Sequence, residues 1–282
     1  MTSNPVTPVS TSAPAKSRPQ ITLEVLRKES LSEHMVRIIA GGPGFASFVN
    51  NDFTDRYIKI AFPQRGIEYP LPLDLWQIRE DFPREQWPFT RTYTIRWVDE
   101  AAQELAIDFV VHGDEGLAGP WARDAQPGDA LVFTGPGGAY SPAVDTEWHL
   151  FAGEDAAVPA ISAALEYLPR DAKGAAVLEV NSQADVQAID APEGVQVQWL
   201  FREGIPAGAS DMLINAVSGI QLPEARVYAF VHGERGYMKS LRAVLFTQFG
   251  LERSQVSLSG YWAMGRVEDE FQAEKKTPVG KI

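Results

Sequence analysis

The hydrophobic pattern changes period near residue 138, and that change limits the folds open to this chain more than any other feature. Between about Ile21 and Pro136, short β-favourable runs ("ITLEVLRKE", "HMVRIIAG", "RYIKIAF", "TRTYTIRWV", "ELAIDFVVHG", "DALVFTG") are separated by turns such as "GGPGF" and "QPGD". Six strands at this spacing predict a small antiparallel barrel. After "GPGGAYSP", the strand-like runs "WHLFAG", "AAVLEVN", "VQVQWLF", "RVYAFVHG" and "VSLSGYW" alternate with helical segments such as "EDAAVPAISAALEYL", "ASDMLINAVSGI" and "GYMKSLRAVLFTQF". That alternation predicts a parallel sheet with helices on its faces. The expected division is an arm over 1–19, a barrel over 20–138 and an α/β unit with a C-terminal tail over 139–282. No internal repeat is visible in either half.

Composition narrows what such a chain can do. At 282 residues and 45% apolar it can bury two cores. Thirty-seven acidic against 25 basic residues give a net charge of -12, a field that repels nucleic acid and anionic membrane, so an anionic ligand must meet a local basic patch. Zero cysteines exclude disulfides, thiolate zinc sites and cysteine-held iron–sulfur clusters, so redox chemistry needs a borrowed cofactor. The Ser/Thr/Pro/Ala-rich start reads as a disordered arm without a signal-peptide block. No run approaches the roughly 18 apolar residues of a membrane span. The expectation is a cytoplasmic protein with no nucleic-acid or membrane partner; the oligomeric state is open, and a monomer is compatible. Four scattered histidines lack ligand spacing, so no metal site is expected. The loop Pro70–Pro88, with two tryptophans, has the length of a functional or partly helical segment.

Two stretches carry candidate chemistry. In "RTYTIR", strand alternation would turn Arg91, Tyr93 and Ile95 one way and Thr92, Thr94 and Arg96 the other. Either this is an ordinary half-exposed strand, or it lays an aromatic ring, a cation and a hydroxyl against a flat anionic ligand. In "DFVVHGDEGLAGPWA" a strand ends at His112, and glycines lead into a short turn with Trp121. Such a segment exposes backbone N–H groups that suit phosphate, though the same residues make ordinary turns. His112 alone fits a structural role as well as a ligand one. A barrel followed by an α/β unit is also the order in which a flavin-holding barrel joins a nicotinamide-binding domain. On such a sheet ligands bind outside the carboxyl ends of the strands, which here carry "AGEDAA", "VNS", "HGERG" and "GYW".

"RTYTIR" followed by "IDFVVHG" and "AGPWA" closely resembles the flavin-binding signature of the siderophore-interacting protein family, a branch of the ferredoxin-reductase-like flavoproteins. Further segments follow in the family's order: "FTGPGGAY" resembles its domain-joining strand, "AGEDAAVPAISAALEYLP" its "GDETALPAI" helix, and "WLFREG" its "W-x-x-R" strand. "FVHGERGYMKSLRAVL" resembles "AGE...LR", and "SLSGYWAMGRVEDEF" resembles "GYW-x-x-G". The likeness spans about residues 20 to 276. One departure is Ala263, where relatives commonly carry arginine after GYW; either Arg266 replaces that cation or the acceptor preference differs.

The resemblance implies a six-stranded FAD-binding barrel joined to an NAD(P)H-binding α/β domain, with FAD held non-covalently. Tyr93 would stack on the flavin, Arg91 pair with its pyrophosphate and Thr94 bond the ring edge. Asp108 and His112 would lie along the ribityl or adenine portion, and Gly116, Ala118, Trp121 and Ala122 along the phosphates. Gly153 and Asp155 would face the nicotinamide nucleotide, although no G-x-G-x-x-G follows that strand. Arg202 is the candidate for the 2′-phosphate that separates NADPH from NADH, against a solvated strand-end arginine; Glu234 and Arg235 are assigned to the same edge. Lys59, Arg266, Lys275 and Lys276 are the cations expected to meet an anionic ferric siderophore. The expected reaction passes electrons from NADPH or NADH through FAD to a ferric chelate and releases ferrous iron. Outer-sphere electron transfer needs no acid–base catalyst. A general flavin or quinone reductase, and a non-catalytic siderophore-binding flavoprotein, are the rival readings.

Overall fold

β1 (Gln20–Ser30) shows how the first half is built: Ile21, Leu23 and Val25 are buried while Thr22 and Glu24 between them face water, the period of a half-buried strand. In the computed structural model, which describes residues 19–114, 116–143 and 145–282, β1 is joined by β2 (Met35–Gly41), β3 (Tyr57–Phe62), β4 (Phe89–Asp99), β5 (Glu104–Val110) and β6 (Ala130–Gly137). They close an antiparallel barrel in the order β1-β2-β5-β4-β3-β6, so every strand has a neighbour on each side along part of its length. Ile38, Ile58, Ile60, Ile95, Ile107, Phe109 and Phe133 fill its interior. Apart from Pro19, the expected arm lies outside the described residues.

The Pro70–Pro88 loop contains α1 (Leu75–Asp81), started by the Asp74 carboxylate, which accepts the backbone N–H groups of Trp76 and Gln77. Its Leu75 and Ile78 pack with Ala61, Leu73 and Val132 on the outside of the barrel. α2 (Ala118–Asp124) lies against β2 and β5. A Cβ at Gly119 would stand 2.9 Å from the Val110 carbonyl oxygen, so only glycine lets α2 approach that strand end.

In the second half, β7 (Trp148–Glu154), β8 (Gly174–Val180), β9 (Val195–Phe201), β10 (Val227–Glu234) and β11 (Val256–Trp262) form a parallel sheet ordered β11-β10-β7-β8-β9. The helices between them are α3 (Val158–Tyr167), α4 (Met212–Ser218) and α5 (Arg235–Ala243), and α6 (Glu268–Glu274) follows the last strand. Central β7 is buried from His149 to Glu154, as expected of a strand covered on both faces. α3 is buried on almost every side because it packs on the sheet and also meets β4 of the barrel.

The two halves are pinned together. The Glu166 carboxylate on α3 accepts a forked pair of bonds from Arg96 on β4 at 2.7 and 2.5 Å. His34 Nδ1 lies 3.0 Å from Asp185, which also accepts from Ser32 Oγ at 2.9 Å. At the crossing between halves, Asp55 accepts the backbone N–H groups of Ala139 and Tyr140 at 2.8 and 2.9 Å, and the Tyr140 ring packs on Phe230 at 4.5 Å.

Candidate functional site

β4 changes partners halfway along, and the gap this opens is where the site forms. From Phe89 to Thr94 it pairs with β3, but its ladder with β5 begins only at Ile95, with a register shift before Trp97. On the β5 side, the backbone of Arg91–Thr94 therefore faces open space. A cavity of about 760 Å³ occupies that space and runs on to the carboxyl ends of β7, β10 and β11 and to α6, a volume typical of a site for an organic ligand.

The partner change also overturns the simple alternation expected for "RTYTIR". Arg91, Thr92, Tyr93 and Thr94 all line the cavity, whereas Ile95 turns into the barrel core and Arg96 is buried against Glu166. The Tyr93 ring packs at 4.3 Å on Phe109 and also borders the cavity. Burial pushes its phenol well above the ordinary range, opposed by nearby Arg91 and reinforced by Glu268. Behind it, Phe109 packs at 5.6 Å on Trp121, whose other neighbour is Phe62 at 5.6 Å. Trp121 thus supports the ring from a second layer and does not border the cavity; Ala122 lies wholly in the barrel core. Neither borders the cavity, contrary to the expectation that they line it, whereas Gly116–Gly119 do.

Asp108, His112, Gly116, Ala118, Asp155, Lys59 and Lys275 reach the cavity as well. Asp108 has its carboxylate already forked by Arg37 at 2.6 and 2.8 Å, so it shapes the wall as half of an ion pair. Lys59 on β3 and Lys275 at the end of α6 stand close enough that Lys59 helps lower the pKa of Lys275, after burial as the larger cause.

Four expected cations or acids are spent internally. Arg202 is 3% exposed; it donates to Asp155 at 2.5 Å, to the Ile205 carbonyl at 3.1 Å and to the Glu179 carbonyl at 3.3 Å. A guanidinium so enclosed, bonded through all three of its nitrogens, is turned into the protein and not toward a 2′-phosphate. Glu234 caps α5, accepting from Tyr237 N at 3.0 Å and Met264 N at 3.1 Å. Arg235 donates to Glu274 at 2.5 Å, and Arg266 donates to the same carboxylate at 2.7 Å. Gly153 does not border the cavity either: a Cβ there would lie 2.6 Å from the His232 carbonyl oxygen, so its role is the close approach of β7, β10 and α3. Lys276 is exposed and off the cavity.

Other cavity groups escaped the sequence reading. Glu154, 1% exposed, accepts from Trp262 Nε1 at 3.0 Å and from Ala156 N at 3.0 Å. Burial first and Asp155 second hold its carboxyl at about 7. His232, Ser257 and Tyr261 border the same space. The "AGEDAA", "HGERG" and "GYW" segments hinted at them, through their position at strand ends. Among the described residues, no group of three or more histidine, aspartate or glutamate side chains is arranged to hold a metal ion.

The donor set suits a flavin dinucleotide. An aromatic ring, a hydroxyl, a cation and an unpaired stretch of strand converge on one side, and a glycine-bearing loop stands beside them. The model for the siderophore-interacting FAD-binding domain matches residues 24–140, and that for the siderophore-interacting protein matches residues 146–265. Ferric vibriobactin reductase of Vibrio cholerae is 33% identical over 255 residues, covering 90% of this chain and 93% of its own length. An NADPH-dependent ferric-chelate reductase of Escherichia coli is 30% identical over 245 residues, covering 85% of this chain and 91% of its own. The crystal structure of a siderophore utilization protein from T. fusca superposes with a TM-score of 0.78 at 35% identity, over 88% of this chain and 94% of that one.

Proposed function

Because this chain belongs to the siderophore-interacting protein family, we propose that it binds FAD in the cavity beside Tyr93 and passes electrons from NAD(P)H to a ferric siderophore, releasing ferrous iron. The observation that carries this reading is the position of the cavity, between the open edge of β4 and the carboxyl ends of β7, β10 and β11, where ligands of open α/β sheets bind. The flavin supplies conversion of a two-electron donor into one-electron steps; the chain supplies binding and orientation. In this reading 20–138 is the flavin unit and 139–282 the nucleotide unit.

Tyr93, braced by Phe109, would be the aromatic surface for the flavin ring, Arg91 the cation for the pyrophosphate, and Thr94 a hydroxyl for the ring edge. The 116–119 loop approaches the phosphates. Asp155 and its neighbours take the nicotinamide side. Lys59 and Lys275 draw an anionic ferric chelate to the mouth, while Arg266, tied to Glu274, serves there only by holding α6. Reduction weakens the grip of hard oxygen ligands on iron. No helix of the described residues is long and apolar enough to cross a membrane, and the reading places the protein in the cytoplasm with its nucleotide donors.

Anaerobic mixing of the yellow holoprotein with NADH and with NADPH tests this. Bleaching of the flavin band, followed by its return on adding a ferric siderophore with ferrous iron trapped by a chelator, is expected. A band unchanged by both nucleotides overturns the reading; bleaching that only quinones or dyes reverse identifies the general reductase.

A further inference from the structure

Thr94, Tyr261, His232 and Ser257 form a continuous side-chain series from the open edge of β4 to β11, the outermost strand of the sheet. The Tyr261 hydroxyl is near enough to the Thr94 side chain for Thr94 to act on its pKa, and it lies 3.0 Å from His232 Nδ1. Nε2 of the same ring lies 2.9 Å from Ser257 Oγ. All four residues border the cavity. In the "HGE" segment, His232 stands where the family's "AGE" pattern has alanine.

The imidazole is buried and stacked at 3.8 Å on Phe230. Burial, with Lys275 adding to it, depresses its pKa to about 3, and burial likewise raises the Tyr261 phenol far above neutrality. Every member is therefore uncharged. A neutral imidazole has one N–H, so one nitrogen donates and the other accepts. Two polarities follow. In one, Ser257 donates to Nε2, Nδ1–H to Tyr261, Tyr261 to Thr94, and Thr94 presents its O–H to the cavity. In the other every bond is reversed, and Thr94 presents a lone pair.

We propose that this series is the exit path for the proton left when the hydride brought by the nicotinamide has given up both electrons. The proposal rests on the reading that places the flavin edge against Thr94. A hydride is one proton and two electrons; the electrons go singly to two ferric centres, and the proton must leave. On the outward pass the ring N–H gives its proton to Thr94, Thr94 its own to Tyr261, Tyr261 to Nδ1, Nε2 to Ser257, and Ser257 to water. Each link breaks one bond to hydrogen and forms one, the imidazole emerges as its other tautomer, and no ion forms inside the protein.

The test is the tautomer of His232. In holoprotein labelled with ¹⁵N-histidine, long-range ¹⁵N–¹H spectra are recorded oxidised and anaerobically reduced, with His232→Gln to assign the signal. The expected result is Nδ1–H when oxidised and Nε2–H when reduced. One tautomer in both states, or an imidazolium in either, overturns the proposal. Tyr261→Phe should keep FAD bound, freeze the tautomer and slow flavin reoxidation by a ferric chelate about tenfold or more, with a smaller solvent deuterium isotope effect; a tautomer that still follows reduction in this variant also overturns it. Thr94→Val separates the two ideas. An unaltered flavin spectrum and affinity would remove the placement of the ring, and the proposal with it; an altered spectrum beside a His232 tautomer that still follows reduction would remove the proton path alone.

Discussion

Tyr93 packs on Phe109 with one part of its ring and borders the cavity with the rest, so its truncation acts on ligand and barrel together. Tyr93→Ala should weaken FAD by about 2–3 kcal/mol, the sum of stacking and lost apolar contact, read as a rise in dissociation constant of tens- to a hundredfold in titrations of the deflavinated protein; Tyr93→Phe should retain most of the affinity. Glu154 gives a prediction in pH. Its carboxyl is raised from 4.5 to about 7 by burial and by Asp155, so between those values the folded state holds a proton that the unfolded chain has shed. Stability falls as pH rises through this window, by on the order of 3 kcal/mol once it has been crossed. Glu154→Gln removes that cost. Its melting temperature should exceed the parent's by a few degrees at pH 8 and lose that advantage at pH 4.5, one hydrogen bond being given up for the amide; a gain independent of pH would refute the assignment.

At the scale of elements, the strands and helices were legible because periods of 2 and 3.6 are properties of adjacent residues. The six-strand barrel and the alternating second half follow from them. What stayed hidden is decided by partners far along the chain. Arg202 at the end of β9 looks like a free cation until Asp155, 47 positions earlier, is brought against it; Arg235 meets Glu274, 39 positions later. The face-by-face reading of "RTYTIR" failed for a similar reason, since the open stretch of β4 depends on where β5 parts from it, beyond Ile107, while β5 itself continues to Val110 beside β2. The His232–Tyr261 pair joins two strands whose adjacency only the sheet order supplies. A direct consequence follows for Arg202. Arg202→Ala leaves Asp155 and Glu179 buried without their cation, a loss of about 3–5 kcal/mol. It should appear as a lower melting temperature with the ratio of kcat/KM for NADPH and NADH unchanged, whereas a selective loss of NADPH would restore the 2′-phosphate role.

For the whole molecule, the net charge of -12 sets an adverse field for any anionic chelate, and Lys59 and Lys275 on the cavity are cations that would oppose it locally. Lys59 comes from the barrel and Lys275 from the C-terminal helix. The latter is held by both halves, since Glu268 of α6 accepts from Thr92 at 3.3 Å and Glu274 from Arg235 and Arg266. Burial lowers the pKa of Lys275 first, Glu268 opposes it and Lys59 adds a smaller repulsion, which a bound anion would relieve. Charge at a cleft mouth acts mainly on encounter, and its effect fades once ions screen it over about 8–10 Å at physiological salt. The double variant Lys59→Gln/Lys275→Gln should therefore lose about tenfold in kcat/KM for an anionic ferric chelate at low ionic strength. The deficit should shrink as salt is added, and a neutral chelate should show little of it. Reduction of the flavin by nucleotide, measured separately by anaerobic stopped flow, should be unaffected, because neither lysine lies on the nicotinamide side in this reading. Equal losses for charged and neutral chelates would mean that the two lysines hold α6 in place and do not steer the substrate.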